Sequence, residues 1–326
     1  MKRILSVLLV LTMIASTLIF SSCSQDKPLK LGLGVYTTAS ATNATADKNG
    51  QGKATVTAAA VLVDDAGKIV KAVVDCADSA VSYTAEGKAV AAAEFKTKYE
   101  QGKDYNMVAY GNAAKEWYEQ ADAFCALIVG KTAAEVKALV AEDSKGTQEV
   151  VNAGCTIYVA EFANAIEKAI NNATDTDATE KDTLKLGVST AQTKADATVD
   201  KPGNSQLETT LFAAAVNADG KIVAASSDCV QVKFTFDNAG VSTFDATKPI
   251  TSKKEAGDSY NMKAYGGAVK EWYEQSAAFD AACIGKTVAE IKSLMVADTN
   301  KGNADLQAAG CTILVDGFVK AASKIG

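Results

Sequence analysis

The sequence contains one 19-residue block twice, at positions 102–120 and 257–275. The two copies are identical at 14 of 19 positions, and they are separated by 155 residues. Both tryptophans of the chain lie in these blocks. Repeats in solenoid proteins are much shorter, roughly 20–50 residues. The spacing therefore predicts two tandem copies of one domain, and a length of 326 residues has room for about two domains.

The composition limits the classes of function. Apolar residues make up 48% of the chain and charged residues 22%, which allows each half to bury a core. A net charge of −6 argues against nucleic acid and against an anionic lipid surface as partners. The chain has no histidine. This excludes Ser-His-Asp and Cys-His catalysis, as well as zinc or haem held by histidine.

Residues 1–22 have the features of a secretory signal peptide. Lys2 and Arg3 precede an apolar run at 4–20, and two serines precede Cys23. This order resembles the lipobox of bacterial lipoproteins, although Phe20 stands where leucine is usual. The resemblance implies cleavage before Cys23, lipidation of its thiol, and a short tether over 23–27 on the outer face of a bacterial membrane. An ordinary signal peptide with an incidental cysteine is the alternative.

Matching landmarks divide the remaining chain into a first domain at 28–171, a polar linker at 172–181 and a second domain at 182–326. The domains open on Leu-Lys-Leu-Gly at 29–32 and at 184–187, again 155 residues apart. Only three prolines occur in the chain, so no proline-rich spacer separates the domains.

A β-hairpin is predicted near the start of each domain. Apolar strands flank the turns at 64–67 and 217–220, which are rich in Asp, Asn and Gly. Strict alternation at 230–236 indicates a half-buried strand. The preceding segments, 37–53 and 190–206, are rich in Thr, Ala and Asn and predict a loop or a ragged strand.

The repeated block predicts a turn that leads into a helix. One apolar face of that helix is formed by Trp117, Ala121, Phe124 and Ile128. Capping boxes at 132–135 and 287–290 start a second helix, and last helices are predicted over 157–170 and 313–325. Each domain is therefore expected to be α+β, with a small antiparallel sheet built on the hairpin and packed with about three helices.

Gly-Lys-Thr occurs at 130–132 and at 285–287, as in part of a phosphate-binding P-loop. That motif requires a glycine five residues earlier and a preceding strand. Cys125 and Asp280 hold the earlier position, and a helix is predicted before each segment. The sequence thus favours helix capping over nucleotide binding.

Six cysteines follow Cys23, and two pairs of them are equivalent between the domains. Disulfides are permitted outside the cell, and the expected bonds would be Cys76–Cys155 and Cys229–Cys311. The favoured alternative is that these four, with Cys125 and Cys283, are small buried hydrophobic residues. No Cys-x-x-Cys pair exists, which argues against thioredoxin-like redox chemistry and against a structural zinc.

Two segments of each domain are candidate binding sites. The first is a tyrosine-rich turn, which we call the Tyr-Asn-Met turn. Its candidate residues are Tyr105, Asn106, Met107 and Tyr110, with Tyr260, Asn261, Met262 and Tyr265 in the second domain. Turns lie at surfaces, so a partly open ligand site and plain packing both remain open for it. Trp117 is predicted to belong to the core instead.

The second candidate is a Gly-Cys-Thr turn before the last predicted helix of each domain. It comprises Gly154, Cys155 and Thr156, and Gly310, Cys311 and Thr312. Free backbone N–H groups and the helix dipole at such a place favour a phosphate. The alternative is an ordinary helix N-cap by the threonine.

These features resemble the FMN-binding domain family of extracytoplasmic electron-transfer proteins. The hairpin motif of that family matches Asp219-Gly220-Lys221-Ile222-Val223 and nearly matches residues 66–70. The family also has a Ser-Gly-Ala-Thr segment before a helix, and the Gly-Cys-Thr turns occupy the same place in this sequence. The resemblance implies FMN held through its phosphate at Thr156 and Thr312, with the flavin ring against the Tyr-Asn-Met turns.

Both domains depart from the family pattern. Cysteine replaces the alanine of the Ser-Gly-Ala-Thr segment, and alanine replaces its serine. The acidic residue usual six positions before the threonine is Val150 in one domain and Leu306 in the other. Covalent FMN, non-covalent FMN and no flavin therefore remain open.

The leading hypothesis is a membrane-anchored extracytoplasmic lipoprotein that carries flavin or takes part in redox chemistry. Such a protein would be an electron carrier with a redox partner protein, not an enzyme with its own substrate. One alternative is a non-catalytic lipoprotein that binds a small ligand or a partner at the Tyr-Asn-Met turns. A structural protein of the cell envelope is the other alternative.

Overall fold

A computed structural model describes residues 27–325, which form a mixed α+β fold with antiparallel sheets. The predicted signal peptide and Cys23 lie outside these residues. The strands are β1 (Lys30–Thr42), β2 (Gly50–Val63), β3 (Ile69–Tyr83), β4 (Ala89–Val90), β5 (Thr174–Asp175), β6 (Thr183–Ala195), β7 (Gly203–Val216), β8 (Ile222–Phe236), β9 (Met295–Val296) and β10 (Lys301–Gly302).

Most helices are short. Those after the first sheet are α1 (Lys98–Gln101), α2 (Met107–Gly111), α3 (Trp117–Leu127), α4 (Ala133–Lys137), α5 (Gln148–Ala153) and α6 (Ala160–Asn171). Those after the second are α7 (Lys253–Ala256), α8 (Met262–Gly266), α9 (Trp272–Cys283), α10 (Val288–Ile291), α11 (Ala304–Ala308) and α12 (Asp316–Ser323). Within residues 27–325, no helix has the length and apolar character needed to cross a membrane.

The long strands form two sheets with the orders β4-β3-β2-β1-β5 and β6-β7-β8. The predicted hairpins are present as β2–β3 and β7–β8. The segments predicted as loops or ragged strands are largely regular, because β1 extends to Thr42 and β6 to Ala195. In these segments half-buried and exposed side chains alternate along fully paired strands, an environment that suits threonine.

The pairing register of the strands shows that the two Leu-Lys-Leu-Gly motifs are not structurally equivalent residue by residue. Leu31 pairs with Leu62, whereas Leu184 pairs with Ala215, so the structural offset in these strands is 153 residues and not 155. Gly34 is accordingly the counterpart of Gly187. A Cβ added at either glycine would lie about 2 Å from a carbonyl oxygen of the last helix, 2.1 Å in the first half and 2.0 Å in the second. Glycine is needed here because the helix backbone approaches the strand closely.

Each sheet is covered on one face by the helices that follow it. Val61, Phe124 and Ile166 are buried between the first sheet and its helices. The other faces of the two sheets pack against each other in a shared cluster, which includes Leu62 and Leu211. The order of layers is thus helices, sheet, sheet, helices, and the two halves bury apolar surface on one another.

The segment predicted as a polar linker, 172–181, is packed onto the fold. Thr174 and Asp175 form β5, which pairs with the start of β1. Ala178 is fully buried in the shared cluster, and its carbonyl accepts a hydrogen bond of 2.7 Å from Leu29 N. Backbone pairing and burial therefore hold this segment in place.

Candidate functional site

A cavity of about 620 Å³ lies between the first sheet and its helices. We call it the first pocket. The sheet contributes Tyr36, Thr55, Thr57, Cys76 and Asp78, and the helices and turns contribute Lys98, Tyr105, Met107, Trp117, Asp143, Ser144, Ile157, Tyr158, Ala160, Glu161, Phe162 and Asn164. The strand residues all project from the helix-facing side of the sheet, because alternate residues of a strand share a face.

The second half has an equivalent cavity of about 250 Å³, which we call the second pocket. It is lined by Glu208, Thr210, Cys229, Lys253, Tyr260, Met262, Trp272, Ile313, Leu314, Asp316, Gly317 and Phe318. Lysine, tyrosine, methionine and tryptophan therefore recur at the same places in both pockets.

A largely buried lysine lines the first pocket. Lys98 Nζ is 3.0 Å from Asp78 Oδ2. The same ammonium lies 5.3 Å from the ring centre of Tyr105 and 5.7 Å from that of Trp117, which is within cation–π range. Burial works against the charged lysine, but the neighbouring Cys76 and Asp78 outweigh it, so the pKa of Lys98 is raised. This lysine stays protonated and is not a nucleophile.

The second pocket repeats the arrangement with Lys253. Its Nζ is 3.5 Å from Glu208 Oε2 and lies 5.5 and 5.4 Å from the ring centres of Tyr260 and Trp272. The acidic partner comes from β7 here and from β3 in the first half, so the ion pair is preserved while its geometry differs.

A buried carboxylate on the sheet helps to position each lysine. Asp75 Oδ1 accepts hydrogen bonds from Cys76 N at 2.7 Å and from Tyr99 N in the first turn of α1 at 3.2 Å. Burial raises the pKa of Asp75 to about 6, although hydrogen bonds from Thr97 and these backbone groups oppose the rise. Asp228 has the same surroundings and a pKa also raised by burial to about 6.

The Tyr-Asn-Met turn is held by a glutamate of the repeated block. Met107 N donates to Glu116 Oε2 at 2.9 Å, and Val108 N donates to Glu116 Oε1 at 3.3 Å. Glu271 accepts in the same way from Met262 N at 2.8 Å and from Lys263 N at 3.2 Å. These carboxylates satisfy free N–H groups at the start of the short helices α2 and α8.

The Gly-Cys-Thr turn is held by the last residue of the same block. Gln120 Oε1 accepts from both the backbone N–H and the hydroxyl of Thr156, and Gln275 does the same for Thr312. Each repeated block thus fastens the two turns whose neighbouring residues line its pocket. Ile157 and Ile313 directly follow the threonines and are part of the pocket walls.

The predicted starts of the last helices were wrong by three residues. α6 begins at Ala160 and α12 at Asp316, so neither Thr156 nor Thr312 is a helix N-cap. The N–H groups of Val159 and Ala160 both donate to the carbonyl of Ser144, at 3.0 and 3.2 Å. These groups, which would favour a phosphate if they were free, are already bonded.

The other residues of the Gly-Cys-Thr turns have structural roles. Gly154 ends α5 with a φ of 95°, and Gly310 has a φ of 99°. Lys115 and Lys270 pack over these glycines, whose added Cβ atoms would lie 2.5 and 2.3 Å from the ammonium nitrogens. The side chains of Cys155 and Cys311 are fully buried in the helix-side clusters.

The Tyr-Asn-Met residues divide between the pockets and the surface. Tyr105 and Met107 line the first pocket, as Tyr260 and Met262 line the second. Tyr110 is 85% exposed and Tyr265 is 89% exposed, and neither lines the first or the second pocket. Asn106 and Asn261, with a φ of 61°, occupy the left-handed turn between a 3-10 helix and the next short helix.

All six cysteines of residues 27–325 are free and buried, so the two expected disulfides are not formed. Burial raises the pKa of Cys76 and of Cys229 to about 12, and that of Cys155 and of Cys311 to about 11. The thiols remain protonated at neutral pH and are poor nucleophiles. In this part of the chain, no group of three or more Cys, Asp and Glu side chains is placed to hold a metal ion.

Sequence reasoning missed the two pocket lysines and the carboxylates around them. A usable signal was present, because Thr97-Lys98-Tyr99-Glu100 and Ser252-Lys253-Lys254-Glu255 are capping boxes that place a lysine at the same position just before the repeated block. The carboxylates had no comparable signal, since they come from distant strands.

No protein-family model and no solved structure matches the chain. Among curated proteins, chlorophenol reductase of Desulfitobacterium hafniense is 31% identical over 124 residues, which cover 33% of this chain and 37% of that protein. The similarity therefore spans little more than a third of that protein.

Proposed function

We propose that the protein is a membrane-anchored extracytoplasmic lipoprotein built from two copies of one α+β unit, each of which offers a pocket for a small organic ligand. The proposal rests on one observation, which is that each repeated block holds the two turns beside a pocket in place. Glu116 and Gln120 fasten the turns on either side of the first pocket, and Glu271 and Gln275 do so at the second.

The chemistry of the pockets supports ligand binding over a purely structural role. A largely buried lysine paired with a carboxylate seldom adds much stability compared with apolar packing, because the ammonium loses most of its hydration. Lys98 and Lys253 are nevertheless kept at the same place, each between two aromatic rings and beside an open cavity. Small-molecule sites are usually concave and combine apolar and aromatic walls with a few converging polar groups. The two pockets combine aromatic side chains with a lysine and its carboxylate partner.

The proposal is tested by screening small organic compounds against the mature chain from Cys23, made without the lipid. Thermal shift and ligand-observed NMR would report binding, because a ligand that binds only the folded state raises the melting temperature. We expect hits that are lost when Tyr105→Leu and Tyr260→Leu are combined. Tyr110→Leu with Tyr265→Leu is the matched control, since these tyrosines lie outside the pockets. Hits that persist in the first variant, or no hits with the wild type, would contradict the proposal.

A flavin carrier is the second candidate function. The hairpin and Gly-Cys-Thr motifs that resemble the FMN-binding domain family support it, as does partial similarity to a protein named as a reductase. The residues fit the group in part. Tyr105 and Met107 supply an aromatic and polarisable wall for a flat ring, and Lys115 supplies positive charge beside Gly154. The hydroxyl of Thr156, which would have to carry or contact the phosphate, already donates to Gln120.

The flavin proposal has a direct test. The mature chain, expressed with and without a flavin transferase, would be examined for flavin absorbance and intact mass. Covalent FMN at both threonines would add two flavin-phosphate masses, of which Thr156→Val removes one and Thr312→Val the other. A colourless protein with no added mass and no thermal shift with free FMN would rule out the flavin function and leave the ligand-binding function standing.

A further inference from the structure

The charges that line the first pocket are not balanced. Its carboxylates are Asp78, Asp143 and Glu161, and Lys98 is its lysine. Asp78 is paired with Lys98, and Asp143 lies at the mouth, 4.0 Å from Lys145. Glu161 accepts a hydrogen bond of 3.2 Å from the Thr57 hydroxyl, and no lysine of residues 27–325 lies within ion-pair distance of it. A carboxylate in such a partly enclosed wall attracts a cation more strongly than one in open water.

The remaining wall suits an apolar body attached to that cation. Tyr36, Ile157 and Phe162 line the pocket, and Tyr158 lies at its edge with 63% of its surface exposed. Lys145 Nζ lies over the Tyr158 ring at 5.6 Å, and its charge is offset by Asp143 at 4.0 Å. Aromatic faces and a carboxylate together favour organic ammonium groups over neutral or anionic ligands.

The second pocket lacks the unpaired carboxylate. Its counterpart of Glu161 is Gly317, because a Cβ added there would lie 2.6 Å from the hydroxyl of Thr210, which corresponds to Thr57. The carboxylates of the second pocket are paired, Glu208 with Lys253 at 3.5 Å and Asp316 with Lys320 at 3.1 Å. The two pockets therefore differ in the charge that they offer to a ligand.

We infer that the first pocket binds a small organic cation, an ammonium group on an apolar body, with Glu161 as its counter-ion. The inference rests on the proposed ligand-binding function and adds the ligand class. Glu161 is then the residue that selects cations over neutral ligands, and of the two pockets only the first is expected to prefer a cation.

The probes are 2-phenylethylammonium, its neutral analogue 2-phenylethanol and the anion phenylacetate. The mature full-length chain carries Trp272→Phe, so that Trp117 is the remaining tryptophan and its fluorescence reports on the first pocket. We expect the ammonium to bind with one site per chain and about tenfold more tightly than the alcohol, which is roughly the contribution of one charge-assisted hydrogen bond. Phenylacetate should bind more weakly than either.

Glu161→Gln should remove this preference while leaving the affinity for 2-phenylethanol unchanged. The substitution keeps the volume of the side chain and an oxygen for the Thr57 hydroxyl, and a thermal melt checks that the fold is retained. Glu167→Gln, on the same helix but outside the lining of either pocket, is the matched control and should leave ammonium binding unchanged. Higher salt should reduce the preference for the ammonium.

The outcomes separate this inference from the function on which it rests. Equal binding of the ammonium and the alcohol, or an unchanged preference in Glu161→Gln, overturns the cation assignment but leaves a ligand pocket in place. If the wild type binds none of the three probes, the cation assignment is overturned, and the compound screen alone then decides whether the pockets bind a ligand.

Discussion

Gln120 receives both polar hydrogens of Thr156, the backbone N–H at 2.8 Å and the hydroxyl at 3.0 Å. Gln275 holds Thr312 in the same way, at 2.9 and 3.0 Å. Each glutamine is 1% exposed and lies at the end of the repeated block, 36 or 37 residues from its threonine. This long-range link explains why a glutamine ends the block in both halves.

Removal of this link should cost stability. Gln120→Met keeps the size of the side chain but leaves the N–H of Thr156 without its acceptor, so we expect a loss of about 1–3 kcal/mol in the free energy of unfolding. Urea denaturation measures the change. Gln307→Met is the control, because Gln307 is exposed and bonds only to a nearby carbonyl. Equal effects of the two substitutions would contradict the role assigned to Gln120.

The buried aspartates should make stability depend on pH. The pKa of Asp75 is raised by burial to about 6 in the folded chain, whereas an unfolded aspartate titrates near 4. Between these values the folded state holds the extra proton, so this group lowers stability as the pH rises from about 4 to 6. The full penalty, on the order of 3 kcal/mol at most, is present above pH 6.

Asp75→Asn should therefore stabilise the protein more at pH 7, relative to the wild type, than at pH 4. The amide oxygen of asparagine can still accept from Cys76 N and Tyr99 N, which both donate to Asp75 Oδ1. Urea denaturation of both proteins at the two pH values measures the difference. If the free energy of unfolding differs between wild type and variant by the same amount at pH 4 and pH 7, Asp75 does not titrate in this range.

The packing of the two sheets on each other is testable at Gly52. A Cβ added at this residue would lie 2.3 Å from the ring of Phe234 in the other half. Overpacking of this kind typically costs 1–3 kcal/mol, and we expect that loss for Gly52→Ala. Gly111→Ala is the matched control, since an added Cβ there meets nothing within 4 Å. A neutral Gly52→Ala would mean that the sheets do not pack as described.

Local features of the fold were predictable from the sequence. The capping boxes at Thr132 and Thr287 are present, with Glu135 N and Glu290 N as donors, because such caps depend on residues three positions apart. The face-to-face packing of the sheets was not predicted. The signal for this packing was the pair of continuous apolar runs at 58–63 and 211–216, which are buried at every residue. A strand that is covered on both faces does not alternate apolar and polar residues.

The candidate site was predictable only in part for a related reason. Tyr105 and Met107 follow from an unusual turn composition that the chain contains twice. The partner of Lys98 is Asp78, which lies on a strand, and Glu161 reaches Thr57 across 104 residues. Contacts between residues so far apart in the sequence depend on the strand register and on the position of the last helix, and neither can be predicted from local sequence.

The membrane anchor remains a prediction from the signal and from Cys23. Cys23→Ala should release the protein from membranes or block its processing, because the acyl chains attached to Cys23 would otherwise hold it there. Fractionation and intact mass of the mature chain test this. Ser24→Ala, next to the proposed cleavage site, is the control and should stay in the membrane fraction. Unchanged fractionation and mass in Cys23→Ala would contradict lipidation.

Lys98 should serve binding more than stability. Lys98→Met places an apolar chain of similar length between Tyr105 and Trp117, and Asp78, whose side chain is 39% exposed, can be hydrated once it loses its partner. Removing one partner of an ion pair is costly mainly when the other charge is left buried, and the exposed carboxylate of Asp78 avoids that cost. We therefore expect the free energy of unfolding to change by less than about 1 kcal/mol, or to rise.

Ligand binding in Lys98→Met should change much more than stability. Loss of the ammonium removes the ion pair that holds Asp78 and leaves two unpaired carboxylates in the first pocket, so any compound that binds there should change in affinity by about tenfold or more. Lys103→Met, on the exposed 3-10 turn, is the control for loss of one positive charge. Large destabilisation of Lys98→Met with unchanged affinity would instead make Lys98 a structural residue. The first pocket would then have to bind through its aromatic wall and Glu161 alone.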